Sequence, residues 1–233
     1  MFYVNLKYLK RKVFTVDKMS VIVPCFNEED VLPLFYQEVT KVLESIENTT
    51  YELLFINDGS SDHTEDLIKL MAHKNKQCFY YSFSRNFGKE AAMYAGLENA
   101  TGDYVVIMDA DLQHPPYLLK EMYHSLKEEN YDCCAGKRID RTGEGKLRNF
   151  LSHSFYKVIQ TLTKMDMDDG AGDFRMMTRQ MVDAILELKE YNRYMKGLFS
   201  FVGFNTKWLE FHNVERQGGR TKWSFKSLFS YAF

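Results

Sequence analysis

The chain has 233 residues and a formal net charge of −2, with 30 Lys and Arg against 32 Asp and Glu. That balance argues against a general nucleic-acid-binding protein, which is usually strongly basic, and the length suits one sizeable domain with at most an appendage. A hydrophobic fraction of 45% is typical of a folded globular protein, yet no apolar run reaches the roughly 18 residues of a membrane span.

The first 18 residues precede the first predicted strand and carry a cluster of basic side chains among tyrosines and leucines. The cluster consists of Lys7, Lys10, Arg11 and Lys12. Two interpretations stay open: an interfacial helix that touches anionic lipid, or a disordered leader with Met19 as an alternative start. No signal peptide is evident. The four cysteines lie in apolar runs without metal-ligand spacing, which is typical of reduced core residues in a cytosolic protein.

From Ser20 onward, short apolar runs alternate with segments of helical periodicity. Strands are predicted at 20–24, 51–56, 78–83 and 105–108, and the helices between them follow the 3.6-residue spacing of apolar side chains. Asp30 is the predicted N-cap of the first helix. Asp62 and Glu65 have the spacing of a capping box for the second. This alternation predicts an α/β protein with a mainly parallel sheet and right-handed crossovers.

The fourth apolar run leads directly into Asp109 and Asp111 and stops at Pro115 and Pro116. Open α/β sheets bind their ligands at the carboxyl ends of their strands. Because side chains alternate along a strand, the two aspartates could share one cation only where the strand ends. Their hard oxygen ligands suit Mg²⁺ or Mn²⁺ held jointly with substrate phosphates. The alternative is an ordinary solvated turn.

Beyond Gly136 the pattern changes to a basic amphipathic stretch, from Lys137 to about Lys164. It is either a membrane-surface element or a core helix with a solvated basic face. A glycine-rich acidic loop, 168–173, follows, and Asp173 in it could face the same pocket as Asp109 or act only as a loop acid or helix cap. A helix at 179–188 and an outer strand at 204–214 complete the predicted elements.

Several motifs together resemble the inverting family 2 glycosyltransferases with a GT-A fold. They are the segments 21–24, 27–29, 57–62 and 109–116. The segments 84–89, 172–175 and 220–224 are similar to those of the polyprenyl-phosphate glycosyltransferases, the group of dolichol-phosphate mannose synthase and the bactoprenol glucosyltransferases. The resemblance covers about residues 19–230. It implies a GT-A domain at 19–215, a phosphate-closing and juxtamembrane segment at 216–233, and amphipathic membrane-facing helices.

The resemblance also implies roles for individual residues. Those that would bind the nucleotide sugar are Pro24, Asn27, Glu29, Asp58, Arg85, Lys89, Asp109, Asp111, Arg216, Arg220 and Lys222. Asp109 and Asp111 would hold Mg²⁺ or Mn²⁺. Asp173 matches the family's proposed catalytic aspartate, and Asp111 would be the second catalytic residue. Arg138, Arg141 and Arg148 are candidates for gripping an acceptor phosphate, because Arg pairs bidentately with such groups.

By the same resemblance the substrates would be a nucleotide sugar, with UDP-glucose favoured, and a polyprenyl phosphate. UDP-N-acetylhexosamine and GDP-mannose remain open as donors, as does a sugar hydroxyl as acceptor. A non-catalytic nucleotide-sugar-binding module is a remote alternative. The group usually continues into two transmembrane helices, so we expect a catalytic part anchored at the cytoplasmic face of the membrane, and a homo-oligomer is possible. The G-x-G-x-x-G fingerprint of dinucleotide oxidoreductases is missing after the first strand.

Overall fold

A computed structural model describes residues 16–139, 171–188 and 194–212. Seven strands form one sheet in the order β3-β2-β1-β4-β6-β5-β7. The strands are β1 Asp17–Cys25, β2 Thr49–Asn57, β3 Cys78–Ser82, β4 Tyr104–Ile107, β5 Cys133–Arg138, β6 Ala171–Thr178 and β7 Thr206–Phe211. The helices are α1 Leu32–Leu43, α2 Thr64–Lys74, α3 Lys89–Asn99, α4 Leu118–Glu128, α5 Arg179–Glu187 and α6 Met195–Phe201.

The sheet is mainly parallel, as the alternation of strands and helices predicted. The first four strands pair in parallel, and β5 pairs in parallel with β7. The exception is β6, which runs antiparallel to both β4 and β5. Its direction matters for the site, because β6 begins at the edge of the sheet where β4 ends.

Helices cover both faces of the sheet and divide the core in two. On one face α1, α2 and α4 pack over alternate strand residues such as Val21 and Phe55. On the other face α3, α5 and α6 pack over the intervening residues such as Ile22 and Ile56. All four cysteines are buried and free, as predicted. The central strands β1, β2 and β4 therefore read as largely continuous apolar runs because both of their faces are buried.

Several local predictions differ from the structure. The first strand begins at Asp17, three residues earlier than predicted, because Asp17 to Cys25 pair in full with Thr49 to Asn57. The N-cap of α1 is Val31 rather than Asp30, and it makes no side-chain capping hydrogen bond.

The predicted capping box of α2 does not form as expected. Asp62 accepts a hydrogen bond from the Thr64 amide at 3.0 Å, ahead of the His63 N-cap. The Glu65 carboxylate turns instead to Lys69, at 2.9 Å. The helix begins one residue later than the box requires, so Asp62 stabilises the turn before the helix.

Two further predictions concern the segment after β5. Lys137 and Arg138 are strand residues of β5 rather than the start of an amphipathic helix, and the rest of the basic stretch lies outside the described residues. Asp173 lies in strand β6 rather than in a loop. Within the described ranges, no helix is long and apolar enough to cross a membrane.

Candidate active site

The end of β4 and the beginning of β6 bring Asp109 and Asp173 together. The antiparallel register pairs Tyr104 with Thr178 and Ile107 with Arg175. Continuing that register by two residues places Asp109 opposite Asp173. The two carboxylates, far apart in sequence, therefore meet at the carboxyl-terminal edge of the parallel strands, where α/β sheets bind ligands.

Lys89 joins these two carboxylates. Its Nζ lies 2.8 Å from both Oδ1 and Oδ2 of Asp109 and 2.6 Å from Oδ2 of Asp173. Burial raises the pKa of the Asp109 carboxyl, but the charges of Lys89, His114 and Arg138 outweigh burial and bring this pKa to about 2. The two carboxylates in turn raise the pKa of Lys89, against the effect of burial. All three groups are therefore charged at neutral pH.

The Asp173 carboxylate is only half satisfied by this contact. Burial raises its pKa, but Lys89 and Lys196 lower it, so that the net pKa lies below its ordinary value. Its Oδ1 is buried and has no hydrogen-bond partner in the described part of the chain. An ionised oxygen without a partner is costly in the free protein. Asp173 therefore offers an acceptor atom to whatever enters the site.

Asp111 sits in the tight turn that follows β4. Its Oδ1 accepts a hydrogen bond from the Gln113 amide at 3.1 Å, and Leu112 between them has a positive φ of 57°. The Gln113 side chain accepts in turn from Arg138 at 3.1 Å. Arg138, one of the predicted acceptor-phosphate residues, is thus held beside the Asp-x-Asp turn.

Two of the predicted nucleotide-binding residues tie the first two loops together. Asn27 accepts a hydrogen bond from the Ser61 amide at 2.8 Å, and Glu29 accepts from the His63 amide at 2.8 Å. Pro24 lies at the end of β1 beside Ile56. The loops after β1 and β2 are therefore cross-linked into one wall at the edge of the sheet.

Asp58 fixes the next loop, between β3 and α3. Its carboxylate accepts hydrogen bonds from the Phe87 amide at 2.7 Å, from the Gly88 amide at 3.0 Å and from the Asn86 side chain at 2.9 Å. The net effect is that the pKa of Asp58 lies above its ordinary value, because burial outweighs the hydrogen bonds that lower it. Gly88 is the N-cap of α3 with a φ of 96°, so Asp58 fixes the point from which Lys89 reaches the site.

Arg85 occupies an exposed place in the same loop. Its guanidinium lies 4.1 Å from the centre of the Phe87 ring and donates to the Asn86 carbonyl at 3.2 Å. Gly59 packs against the backbone of Arg85 so closely that any side chain there would collide with it. The loops carrying Asp58 and Arg85 are therefore in direct contact.

Four functional candidates were missed in the sequence. His114 is buried and stacks on Phe174 with centroids 4.9 Å apart, and its Nδ1 has no hydrogen-bond partner among the residues that the structure describes. Burial lowers its pKa. Glu90 accepts from the Met195 amide at 2.8 Å and so holds the start of α6 against α3.

The other two missed residues lie around Asp173. Arg175 is buried, and its guanidinium lies 3.8 Å from the centre of the Phe199 ring. Within the described ranges its Nε has no hydrogen-bond partner. Lys196 acts on Asp173 by its charge. His114 and Arg175 stood in the motifs at 109–116 and 172–175, which is a signal; Glu90 and Lys196 gave none.

The remaining predicted residues cannot be placed. Arg141, Arg148, Arg216, Arg220 and Lys222 lie outside the described residues. Among the described ones there is no group of three or more His, Cys, Asp or Glu side chains that could hold a metal ion. Asp109 and Asp111 nevertheless supply carboxylate oxygens of the kind that Mg²⁺ and Mn²⁺ prefer. The chemistry of this pair suits a divalent cation whose other ligands would come from a phosphate substrate and water, and the assignment stays a prediction.

Comparison with known proteins agrees with this architecture. Residues 20–186 match the model of glycosyl transferase family 2. Over 213 residues the chain is 47% identical to CsbB of Bacillus subtilis, whose name describes it as a glycosyltransferase, covering 91% of this chain and 64% of that protein. It is 38% identical over 219 residues to the prophage bactoprenol glucosyl transferase homolog of Escherichia coli, covering 92% of this chain and 70% of that protein. The chain thus spans about two thirds of these relatives.

Solved structures share the fold. The mannosyltransferase PcManGT from Pyrobaculum calidifontis, in complex with GDP-Man and Mn²⁺, superposes with a TM-score of 0.61 at 18% identity, covering 88% of this chain and 58% of that one. Glucosyl-3-phosphoglycerate synthase from Mycobacterium tuberculosis gives a TM-score of 0.58 at 18% identity, covering 91% and 75%. The family match and the close relatives establish that this chain belongs to glycosyl transferase family 2.

Proposed function

We propose that the protein transfers a hexose, glucose from UDP-glucose, to a polyprenyl phosphate at the cytoplasmic face of the membrane. The observation that carries the proposal is the cluster of Asp109, Lys89 and Asp173 at the carboxyl edge of a family 2 domain. The identity of the sugar and of the lipid rests on relatives named bactoprenol glucosyl transferase. The same proposal includes anchoring to the membrane and assembly into a homo-oligomer.

The donor would lie along the wall made by the loops after β1, β2 and β3. Pro24, Asn27, Glu29, Asp58 and Arg85 line these loops. When bound at Asp109 and Asp111, Mg²⁺ or Mn²⁺ would supply the positive charge that a departing diphosphate needs. The Lys89 ammonium adds a second positive charge at the same place. Arg216, Arg220 and Lys222 are proposed to close over the phosphates.

The acceptor side would be formed by Asp173 and Arg138, with Arg141 and Arg148 as further candidates. A phosphate monoester has a second pKa of roughly 6, so it is already a nucleophile at neutral pH. A carboxylate whose pKa is lowered by Lys89 is a weak base. We therefore propose that Asp173 orients the acceptor for direct, inverting displacement rather than removing a proton from it.

This role for Asp173 has a kinetic test. In the Asp173→Asn variant the remaining transfer rate should rise with pH only as far as the acceptor phosphate ionises. If the rate of the wild-type protein instead followed a carboxylate titration that the variant lacks, Asp173 would be a general base.

A donor panel tests the function as a whole. The protein is mixed with undecaprenyl phosphate in vesicles, Mn²⁺ or Mg²⁺, and radiolabelled UDP-glucose, UDP-N-acetylglucosamine, UDP-galactose or GDP-mannose. We expect label in the butanol phase from UDP-glucose alone, and none with Asp111→Ala. Label from another donor would change the sugar. Failure of every donor, with nucleotide released on adding soluble glycans, would move the acceptor to a sugar hydroxyl.

A further inference from the structure

The Lys89 ammonium occupies the side of Asp109 from which a carboxylate binds a metal. It lies 2.8 Å from each of the two carboxylate oxygens. A metal ion takes the same symmetric position when both oxygens of one carboxylate bind it. A divalent cation approaching Asp109 from this direction meets a positive charge already in place. The lysine ammonium and a metal ion would therefore compete for the same carboxylate.

Lys89 also has a second partner, Asp173, which is not one of the two predicted metal ligands. Asp173 Oδ2 accepts from the same Nζ at 2.6 Å. If the contact with Asp109 were broken, the ammonium would keep one charged hydrogen bond. The lysine can therefore release Asp109 without being left unpaired in a partly buried site.

The backbone of Lys89 is fixed, whereas the end of its side chain is accessible to solvent. Lys89 is the first residue of α3, directly after Gly88, whose amide is bound by Asp58. The side chain of Lys89 is 38% exposed and that of Asp109 27% exposed. A metal and its donor can reach this contact from solvent, and only the end of the lysine side chain has to move.

We propose that Lys89 is a built-in competitor of the divalent metal for Asp109, and that metal binding transfers its ammonium to Asp173 and the donor phosphates. The inference rests on the proposed function, because it assumes that Asp109 and Asp111 hold a metal. It gives Lys89 two tasks. In the free protein it offsets one of the two carboxylate charges and keeps the metal affinity low, and in the loaded protein it adds positive charge at the leaving group.

The test measures Mn²⁺ binding to the full chain without donor or acceptor, by the electron paramagnetic resonance signal of free Mn²⁺. The Lys89 charge touches the Asp109 carboxylate, and by Coulomb's law its removal should favour Mn²⁺ binding there by more than about 1.4 kcal/mol. We therefore expect Lys89→Met to bind Mn²⁺ about tenfold or more tightly than wild type. Lys89→Arg keeps the charge and should resemble wild type. The matched control is Lys69→Met, which removes an equal charge paired with Glu65 on the exposed face of α2.

A double variant locates the effect. Adding Asp109→Asn to Lys89→Met should return the Mn²⁺ affinity to the wild-type value or below. Equal affinity in wild type and Lys89→Met, including a failure of both to bind up to the highest Mn²⁺ concentration, would overturn the inference, and so would weaker binding by Lys89→Met.

The outcome is independent of the transfer assay. Tighter Mn²⁺ binding with no lipid-linked product would leave the competition intact and reject the proposed function. Normal sugar transfer with unchanged Mn²⁺ binding would do the opposite.

Discussion

The two edges of the sheet both carry buried charged clusters, and they are built in opposite ways. At the amino edge, Glu52 accepts hydrogen bonds from Ser20 at 2.6 Å and from the Thr101 amide at 2.8 Å, and it pairs with Lys18 at 2.5 Å. Ser20 itself accepts from the Gly102 amide at 2.7 Å. The groups of this cluster form hydrogen bonds with one another, as is typical of a structural network.

At the carboxyl edge the cluster is incomplete. The three buried side-chain atoms without a partner in the described ranges are His114 Nδ1, Asp173 Oδ1 and Arg175 Nε, and they all lie near the end of β4. Leaving such atoms unpaired costs stability. The contrast indicates that the amino edge is built for stability and the carboxyl edge for binding.

The largest effect that tests this comparison is a loss of transfer at the carboxyl edge. We expect Asp111→Asn to lower the transfer rate by about 10²-fold or more, because it removes one of the two carboxylates proposed to hold the cation that the departing diphosphate needs. Its melting temperature should stay close to that of wild type. Asp66→Asn, at an exposed carboxylate of α2, is the matched control and should keep full activity. An Asp111→Asn enzyme of normal rate would remove this residue from the site.

At the amino edge the same change should cost stability instead. Glu52→Gln places an amide among donors that need a carboxylate and removes the ion pair with Lys18, so we expect a loss of about 2 kcal/mol in the free energy of unfolding. Denaturant titration measures it, with exposed Glu98→Gln as control, expected within about 0.5 kcal/mol of wild type. Transfer per folded molecule should not change. Lost activity in the folded variant would break the comparison.

Asp58 is an intermediate case, because it belongs to the carboxyl edge yet is fully engaged with the chain. Asp58→Ala frees the amides of Phe87 and Gly88 and loosens the start of α3. We expect a loss of about 1–2 kcal/mol in stability and a lower transfer rate through a misplaced Lys89. A double-mutant cycle with Lys89→Met measures the connection. Strict additivity of the two rate effects would show that Asp58 does not act through Lys89.

The smallest effect is a pH dependence. Burial raises the pKa of Glu52, but Lys18 and the hydrogen bonds from Ser20 and Thr101 lower it below its ordinary value. A lowered folded-state pKa stabilises the protein above the unfolded-state value of about 4.5, and this contribution disappears as the pH falls through the folded-state pKa. The stability difference between wild type and Glu52→Gln should therefore shrink below about pH 4.5. A difference that is constant down to pH 3 would contradict the assigned cause.

The sequence by itself determined the architecture and the polar ends of its strands. Alternating apolar runs and helical periodicities specify a mainly parallel sheet, because these patterns are local and follow from burial. The position of Asp109 and Asp111 after a buried strand was equally local. A glycine-rich acidic segment singled out Asp173 as a candidate, and only the resemblance to a family motif implied a catalytic role for it.

The tertiary structure alone decided which of these residues meet. Lys89 is 20 residues from Asp109 and 84 from Asp173, and their contact depends on the antiparallel register of β6 against β4. The engagement of Asp58 with the β3–α3 loop and the stacking of His114 on Phe174 depend on packing in the same way. Periodicity records which side of an element is buried, but not which neighbour lies there. The chemistry of this site therefore follows from long-range contacts that no local pattern encodes.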